Sequence, residues 1–340
     1  MILTFEFMTQ MSQRFDPFLK EWVIFAPGRA VRPIMGQSFV QEEKKTWTCP
    51  FCPDAPEGAG VWVVKQLPNR FASLKEEAAL FTDNIHGDFY RESTNYGKCE
   101  VILYTQDHNK SFGQLDHANI VALIQLWQER YIALGQFPDL KYAFLFENRG
   151  KEIGVSMAHA HGQIYAFAYL PPKIQREFNA VLDYQKTEGK CLGCTVLQAE
   201  LAAKVRIIDE NESFVSFIPY YAHWPFEVHI YAKRHFQAIS DCTPKEVEDL
   251  AQILKKTVLR YDKLRGDGNI MPYVLGQHNA PYHMEGREHW HFHIEIYTPF
   301  RGKDRWKYLA GVELGTNTFI NDSNPEDNAK TFREMDIGIV

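Results

Sequence analysis

An α+β fold is expected, made of two diverged copies of one unit, each a mainly antiparallel sheet with a packed helix. Three observations carry this. Each half has a C-x-x-C pair, Cys49/Cys52 and Cys191/Cys194. Each half then runs strand, histidine, helix, strand and H-x-H, with the helix cap eight residues past the histidine (His108 to Asp116, His235 to Thr243). The next candidate metal ligand lies 51 residues beyond that histidine in one half (His159) and 56 beyond it in the other (His291). A shared order at shared spacing points to a repeat. Hairpin-like segments outnumber helices, which favours antiparallel pairing. The two units are expected over 1–170 and 171–340, joined by a partly helical or mobile connector at 164–190.

The elements follow in chain order. Trp22 to Phe25 is a short apolar strand ended by Pro27-Gly28. Arg29 and Arg32 follow; spaced by three, they can converge on a phosphate through paired guanidinium donors, or form a solvated basic loop. Residues 66–72, QLPNRFA, form a polar loop. Glu100 to Thr105 (EVILYT) reads as a strand. Asp116 opens a helix to about Gly135, with Ile120, Leu123, Ile124, Trp127, Tyr131 and Leu134 at helical spacing. Tyr142 to Phe146 is a buried strand. In the second half, Phe226 to Tyr231 is a strand, and Thr243-Pro244-Lys245-Glu246 is a capping box with proline at the first helical position. That helix runs to about Leu264, and Tyr273 to Gly276 is the next strand.

With 340 residues, the chain can bury a large core. A net charge of −6 excludes a nucleic-acid coat but not a local pocket for one nucleotide. No apolar run reaches the roughly 18 residues a membrane span needs. The first residues lack a basic n-region, so a cytoplasmic location is expected. Without a secretion signal, paired cysteines suggest metal or redox chemistry.

Zinc takes four sulfur or nitrogen ligands in a tetrahedron. Cys49, Cys52, His108 and His159 supply one such set, and Cys191, Cys194, His235 and His291 a second. Such sites are closed and structural. The alternative is that each pair is simply two small core thiols. A thioredoxin-like role is disfavoured because neither pair is expected to open a helix after a strand. Cys99 and Cys242 are expected to be core thiols.

The stretch Glu147 to Gln163, ENRGKEIGVSMAHAHGQ, concentrates the chemistry. After turns at Gly150 and Gly154, it delivers His159, His161 and Gln163 at alternate positions, on one face of a strand. The two histidines admit three readings: a core pair, a metal pair, or a nucleophile with its oxyanion clamp. In the last, a neutral His161 attacks phosphorus and forms a phosphoramidate. Gln163 and Ser156 would then donate to a phosphoryl oxygen.

Together these segments resemble the galactose-1-phosphate uridylyltransferase family of the histidine-triad superfamily. The resemblance runs nearly end to end, through RFDP, CPFC, PNRF, FENRG, HAHGQ, YYAHWPFE, QHNAP and EHWHFHIEIY. It implies two histidine-triad-like repeats and a ping-pong reaction. UDP-glucose would give UMP to His161, and galactose 1-phosphate would then take it. It also implies Gln163 as the phosphoryl clamp and nucleotide or phosphate contacts at Arg29, Asn69, Phe71, Asn148 and Ser156. Lys307 would contact the sugar phosphate, and the protein would be a homodimer. Zinc is implied at Cys49, Cys52, His108 and His159. Two departures stand out. Ala160 replaces the usual proline between the histidines, and one histidine of the family's iron cluster becomes a carboxylate in the matching set Glu177, His278, His293 and Glu295. That substitution puts iron in doubt, and the second C-x-x-C set instead resembles two-zinc relatives, among them ADP-glucose phosphorylase.

An ADP-glucose phosphorylase of the same fold is therefore the competing enzyme. A non-catalytic zinc protein that binds nucleotides is the alternative of another class, and it leaves His161, Gln163 and Asn148 without a task.

Overall fold

The computed structural model describes residues 12–26, 49–77, 82–155, 157–303 and 305–338. Arg29, Arg32 and Ser156 fall outside them. The strands are β1 (Ser12–Asp16), β2 (Glu21–Phe25), β3 (Lys65–Pro68), β4 (Thr82–Asp88), β5 (Tyr90–Thr94), β6 (Gly97–Leu103), β7 (Tyr142–Arg149) and β8 (His161–Phe167). They continue as β9 (Ile207–Glu210), β10 (Phe214–Phe217), β11 (Val228–Ala232), β12 (Tyr273–His278), β13 (His293–Tyr297), β14 (Phe300–Gly302) and β15 (Arg305–Trp306). The helices are α1 (His117–Gly135), α2 (Pro172–Glu188), α3 (Leu192–Ala203), α4 (Pro244–Arg265), α5 (Gly311–Thr316) and α6 (Pro325–Arg333).

The α+β expectation holds. A nine-stranded sheet runs β3-β6-β8-β7-β12-β13-β11-β10-β9 through both halves, and every ladder between these strands is antiparallel. The halves join where β7 pairs with β12, Asn148 opposite Val274. A four-stranded sheet, β2-β1-β5-β4, and the β14-β15 pair lie outside it.

Side-chain alternation gives this sheet two different faces. One face is apolar. Ala143, Leu145, Ile164, Ile230, Ile294 and Ile296 pack there with α1 and α4 in the main core. The six residues at helical spacing in α1 are all buried. α4 starts as expected: Thr243 accepts from the Glu246 amide at 3.3 Å, and Glu246 accepts from the Thr243 amide at 2.7 Å. The opposite face carries the polar groups. In the second half α2 and α3 cover it through Ile174, Phe178, Val181 and Leu197.

Several expected boundaries shift. Gly97–Leu103 forms the strand, so Thr105 lies beyond its end and its carbonyl is available to His159. The 164–190 segment is partly helical, as one of the two expectations had it: β8 continues to Phe167, and Pro172–Glu188 is a full helix. The second C-x-x-C does open a helix, with Cys191 as the cap of α3 and its sulfur accepting from the Cys194 amide at 3.4 Å. It follows a helix rather than a strand, so the thioredoxin arrangement is still absent.

Candidate active site and metal centres

His161 begins β8, and the register places Leu103 opposite it on β6. The chain reaches it through a tight turn. Gly150 has φ 95° and Gly154 φ 79°, a backbone region that favours glycine. A Cβ on Gly150 would also meet Pro272 at 2.7 Å. His161 is buried, and its Nδ1 lies 2.8 Å from the His159 carbonyl. A carbonyl can only accept, so Nδ1 carries the proton and the ring's lone pair sits on Nε2.

Gln163 lies two residues further along the same face. Asn69 donates Nδ2–H to Gln163 Oε1 at 3.2 Å, and its own Oδ1 accepts from the Phe71 amide at 2.9 Å. With its carbonyl taken, Gln163 has its amide N–H groups to offer an incoming oxygen. Asn148 and His161 line a cavity of about 470 Å³ together with Arg149, Lys151 and Arg265. Gly162, between His161 and Gln163, faces the core. A Cβ there would meet Tyr104 Oη at 2.3 Å, so the strand sits flat on the tyrosine hydroxyl.

Beneath this strand lies a buried polar layer. Tyr273 Oη donates to Glu147 Oε2 at 3.3 Å, and Arg149 pairs with Asp262 of α4 at 2.9 Å. Burial pushes the Glu147 carboxyl up to about 7, against the pull of Arg149 and Tyr273. Glu147 and Arg149 alternate with Asn148 along β7, and all three reach the cavity wall.

Two Cys2His2 sets gather as expected, each with its four ligand atoms within 4.8 Å of one another. Zinc bonds of about 2.3 Å to sulfur and about 2.0 Å to nitrogen give a tetrahedron with S···N edges of about 3.5 Å. In the first set, His108 Nδ1 lies 3.4 Å from Cys52 Sγ, and His159 Nδ1 lies 3.8 Å from Cys49 Sγ and 3.9 Å from Cys52 Sγ. In the second, His235 Nδ1 is 3.6 Å from Cys194 Sγ, and His291 Nδ1 is 3.3 Å from Cys194 Sγ and 3.9 Å from Cys191 Sγ.

The far ring nitrogens repeat as well. His159 Nε2 donates to the Thr105 carbonyl at 2.6 Å and His291 Nε2 to the Ala232 carbonyl at 2.8 Å, which leaves Nδ1 as the atom able to ligate a metal. Burial lowers His159, and it lowers His291 to about 4, so both rings stay neutral with a lone pair to give. Burial also raises Cys49 to about 11 and Cys194 to about 12, so their thiolates need a cation beside them. Both donor sets fit zinc. The first touches the candidate nucleophile directly, because the His159 carbonyl accepts from His161.

Glu177, His278, His293 and Glu295 also come together. His278 Nδ1 lies 2.8 Å from Glu177 Oε2, and its Nε2 3.0 Å from Glu295 Oε2. The Lys173 ammonium on α2 donates to Glu295 Oε2 at 2.5 Å. Sequence reasoning missed Lys173, and missed His229 and Glu227, which adjoin the cluster at 2.8 Å from each other. Lys173 lies 122 residues from Glu295, and no spacing signal spans such a distance. Lys307 is buried in a neighbouring cavity of about 250 Å³, where Glu313 Oε1 accepts from it at 2.9 Å and the Ile320 carbonyl at 2.6 Å. That cavity meets the first at Glu152. Among the described residues, no helix is long and apolar enough to cross a membrane.

Comparison with known proteins covers both halves. Residues 3–171 match the galactose-1-phosphate uridyl transferase N-terminal domain, and residues 177–338 match its C-terminal domain. A galactose-1-phosphate uridylyltransferase from Thermotoga maritima is 36% identical over 330 residues, covering 97% of this chain and 100% of its own. A solved uridylyltransferase structure superposes with a TM-score of 0.83 at 33% identity, over 95% of this chain and 97% of its own. An Arabidopsis thaliana ADP-glucose phosphorylase structure gives 0.72 at 26% identity, over 95% of this chain and 99% of its own.

Proposed function

The chain belongs to the galactose-1-phosphate uridyl transferase family of nucleotidyltransferases, and from that premise we propose that it moves UMP from UDP-glucose to galactose 1-phosphate through a uridylyl-histidine at His161. The observation that carries this reading is the His161 Nδ1–H bond to the His159 carbonyl at 2.8 Å. It places the imidazole lone pair on Nε2, the atom assigned to the attack.

In the first step, Nε2 attacks the α-phosphorus of UDP-glucose. A P–N bond forms, and the bond from the α-phosphorus to the bridging oxygen breaks. That oxygen leaves on glucose 1-phosphate with the electron pair. The imidazole becomes cationic as its lone pair is used, and the His159 carbonyl stabilises that charge through Nδ1–H. Gln163, oriented by Asn69, donates to a non-bridging oxygen, where negative charge builds. In the second step, a phosphate oxygen of galactose 1-phosphate attacks the same phosphorus. The P–N bond breaks and its electron pair returns to Nε2. Both half-reactions use one centre, so the site needs no separate base.

Asn148, Asn69 and Phe71 are assigned to the nucleotide and its α-phosphate, with Arg29, Arg32 and Ser156 completing that set. Lys307 is assigned to the sugar phosphate, which would join Glu313 at its ammonium. The homodimer belongs to the same proposal. When bound, zinc at Cys49, Cys52, His108 and His159 supplies a fixed tetrahedral staple. The carbonyl of its ligand His159 then holds the nucleophile's proton in place.

The test is the intact mass of the protein after incubation with UDP-glucose alone, with ADP-glucose run alongside. A UMP-sized increase that disappears on adding galactose 1-phosphate, and that His161→Ala abolishes, is expected. An AMP-sized increase removed by inorganic phosphate would replace this reading with the phosphorylase. No adduct from either donor would leave nucleotide binding without transfer.

A further inference from the structure

The second half repeats the nucleophile's station with different chemistry. His293 opens β13 as His161 opens β8, and its Nδ1 lies 2.9 Å from the His291 carbonyl, matching the 2.8 Å bond from His161 to His159. Two residues on, the neutral Gln163 is answered by the carboxylate Glu295. A buried carboxylate repels a phosphoryl oxygen, so this station suits a cation.

A metal ion would need free lone pairs from the imidazoles, and His278 has none to give. Carboxylate oxygens take both of its ring nitrogens, Glu177 Oε2 at 2.8 Å and Glu295 Oε2 at 3.0 Å. An imidazole held on both sides by carboxylates donates twice and is a cation. The Lys173 ammonium closes the other side. It donates to Glu295 Oε2 at 2.5 Å, lies 3.7 Å from Glu177 Oε1, and donates to Tyr297 Oη at 2.6 Å. Two carboxylates thus face one ammonium and one imidazolium, and their charges cancel. Glu227, next to them, is held at Oε2 by the His223 and Trp224 amides at 2.7 and 2.9 Å and at Oε1 by His229 Nε2 at 2.8 Å, and that same nitrogen lies 3.5 Å from Glu295 Oε1. Glu177, His278 and His293 bring ligand atoms within 4.8 Å of one another, but with His278 held on both sides and the Lys173 ammonium seated on Glu295 the cluster as it stands fits an ammonium rather than a third metal ion.

We propose that Lys173 is the resident cation of this cluster, taking the place of a third metal and fastening α2 to the sheet. α2 leads through Gly189 and Lys190 into Cys191. The ion pairs therefore hold the helix that leads into Cys191 and Cys194, the cysteines of the second Cys2His2 set.

The experiment uses the full chain, purified from cells supplied with zinc, iron and manganese. Elemental analysis is expected to find two metal ions per chain, both zinc. Lys173→Met keeps the aliphatic stem and removes the charge. After dialysis against manganese, the variant is expected either to hold one additional Mn2+ per chain or to melt at a lower temperature. A fall of about 1–3 °C is the scale for losing a half-exposed ion pair in a domain of this size. Lys173→Arg, which keeps the charge, is expected to show neither change. A third metal held by the unaltered chain and lost in His278→Ala would overturn the proposal. So would a Lys173→Met protein that neither binds extra manganese nor loses thermal stability.

Discussion

Replacing Glu147 with glutamine should remove a pH dependence that the unaltered protein carries in its core. Glu147 lies on the helix-facing side of β7, held by Tyr273, with Arg149 in the same layer paired to Asp262. Burial raises its carboxyl to about 7 from an ordinary 4.5. The folded chain therefore keeps this proton where the unfolded chain has lost it. The associated stability is fully present below pH 4.5 and is lost as pH rises through about 7. A gap of about 2.5 between the two values corresponds to about 3 kcal/mol in total, of which about 2 kcal/mol falls between about pH 5.5 and about pH 8.5. Glutamine has the same shape and does not ionise. Urea unfolding of both proteins at those two pH values, with zinc present throughout, should show the unaltered chain losing about 2 kcal/mol more than Glu147→Gln. Histidines and thiols elsewhere titrate equally in both proteins and cancel in the comparison. Parallel pH profiles would show that Glu147 stays ionised on folding, and the argument from burial would fail.

Two further perturbations test the site itself. Gly162→Ala places a methyl 2.3 Å from Tyr104 Oη and 3.0 Å from the Phe146 carbonyl, so a loss of about 1–3 kcal/mol is expected in thermal unfolding, partly recovered in the Tyr104→Phe background. An unchanged melting temperature would mean that the strand does not rest on the tyrosine. Gln163→Ala should lower kcat about 100-fold, and Asn69→Ala about 10-fold. The double variant should lose less than the two single losses combined, because part of what Asn69 does runs through the orientation of Gln163; fully additive losses would refute that coupling.

Much of this protein could be read from the order of its residues. The α+β class, the repeat, helix α1 with its six buried positions and the capping box of α4 all follow from periodicity and local chemistry. So do both Cys2His2 sets, because their members recur at nearly equal offsets in the two halves. Alternation alone places His161 and Gln163 on one face of a strand. Ends of elements were less legible. Thr105 continues an apolar run, yet it leaves the strand because its carbonyl serves His159. Cys191 opens a helix because its sulfur accepts from the Cys194 amide, a bond that composition does not reveal.

Other features depend on long-range packing. The sequence shows two units, and only the pairing of β7 with β12 merges their strands into one sheet with an apolar face and a reactive face. The proton on His161 Nδ1 and the rotation of Gln163 by Asn69 each depend on atoms brought within 3.2 Å by the fold, and the Tyr104 hydroxyl occupies the space a side chain at position 162 would need. The pair Lys173 and Glu295, 122 residues apart, left no periodic trace. Periodicity records which way a side chain points along one element. It does not record which distant charge the fold sets against it, and that charge decides whether a cluster of histidines and carboxylates takes up a metal or a lysine.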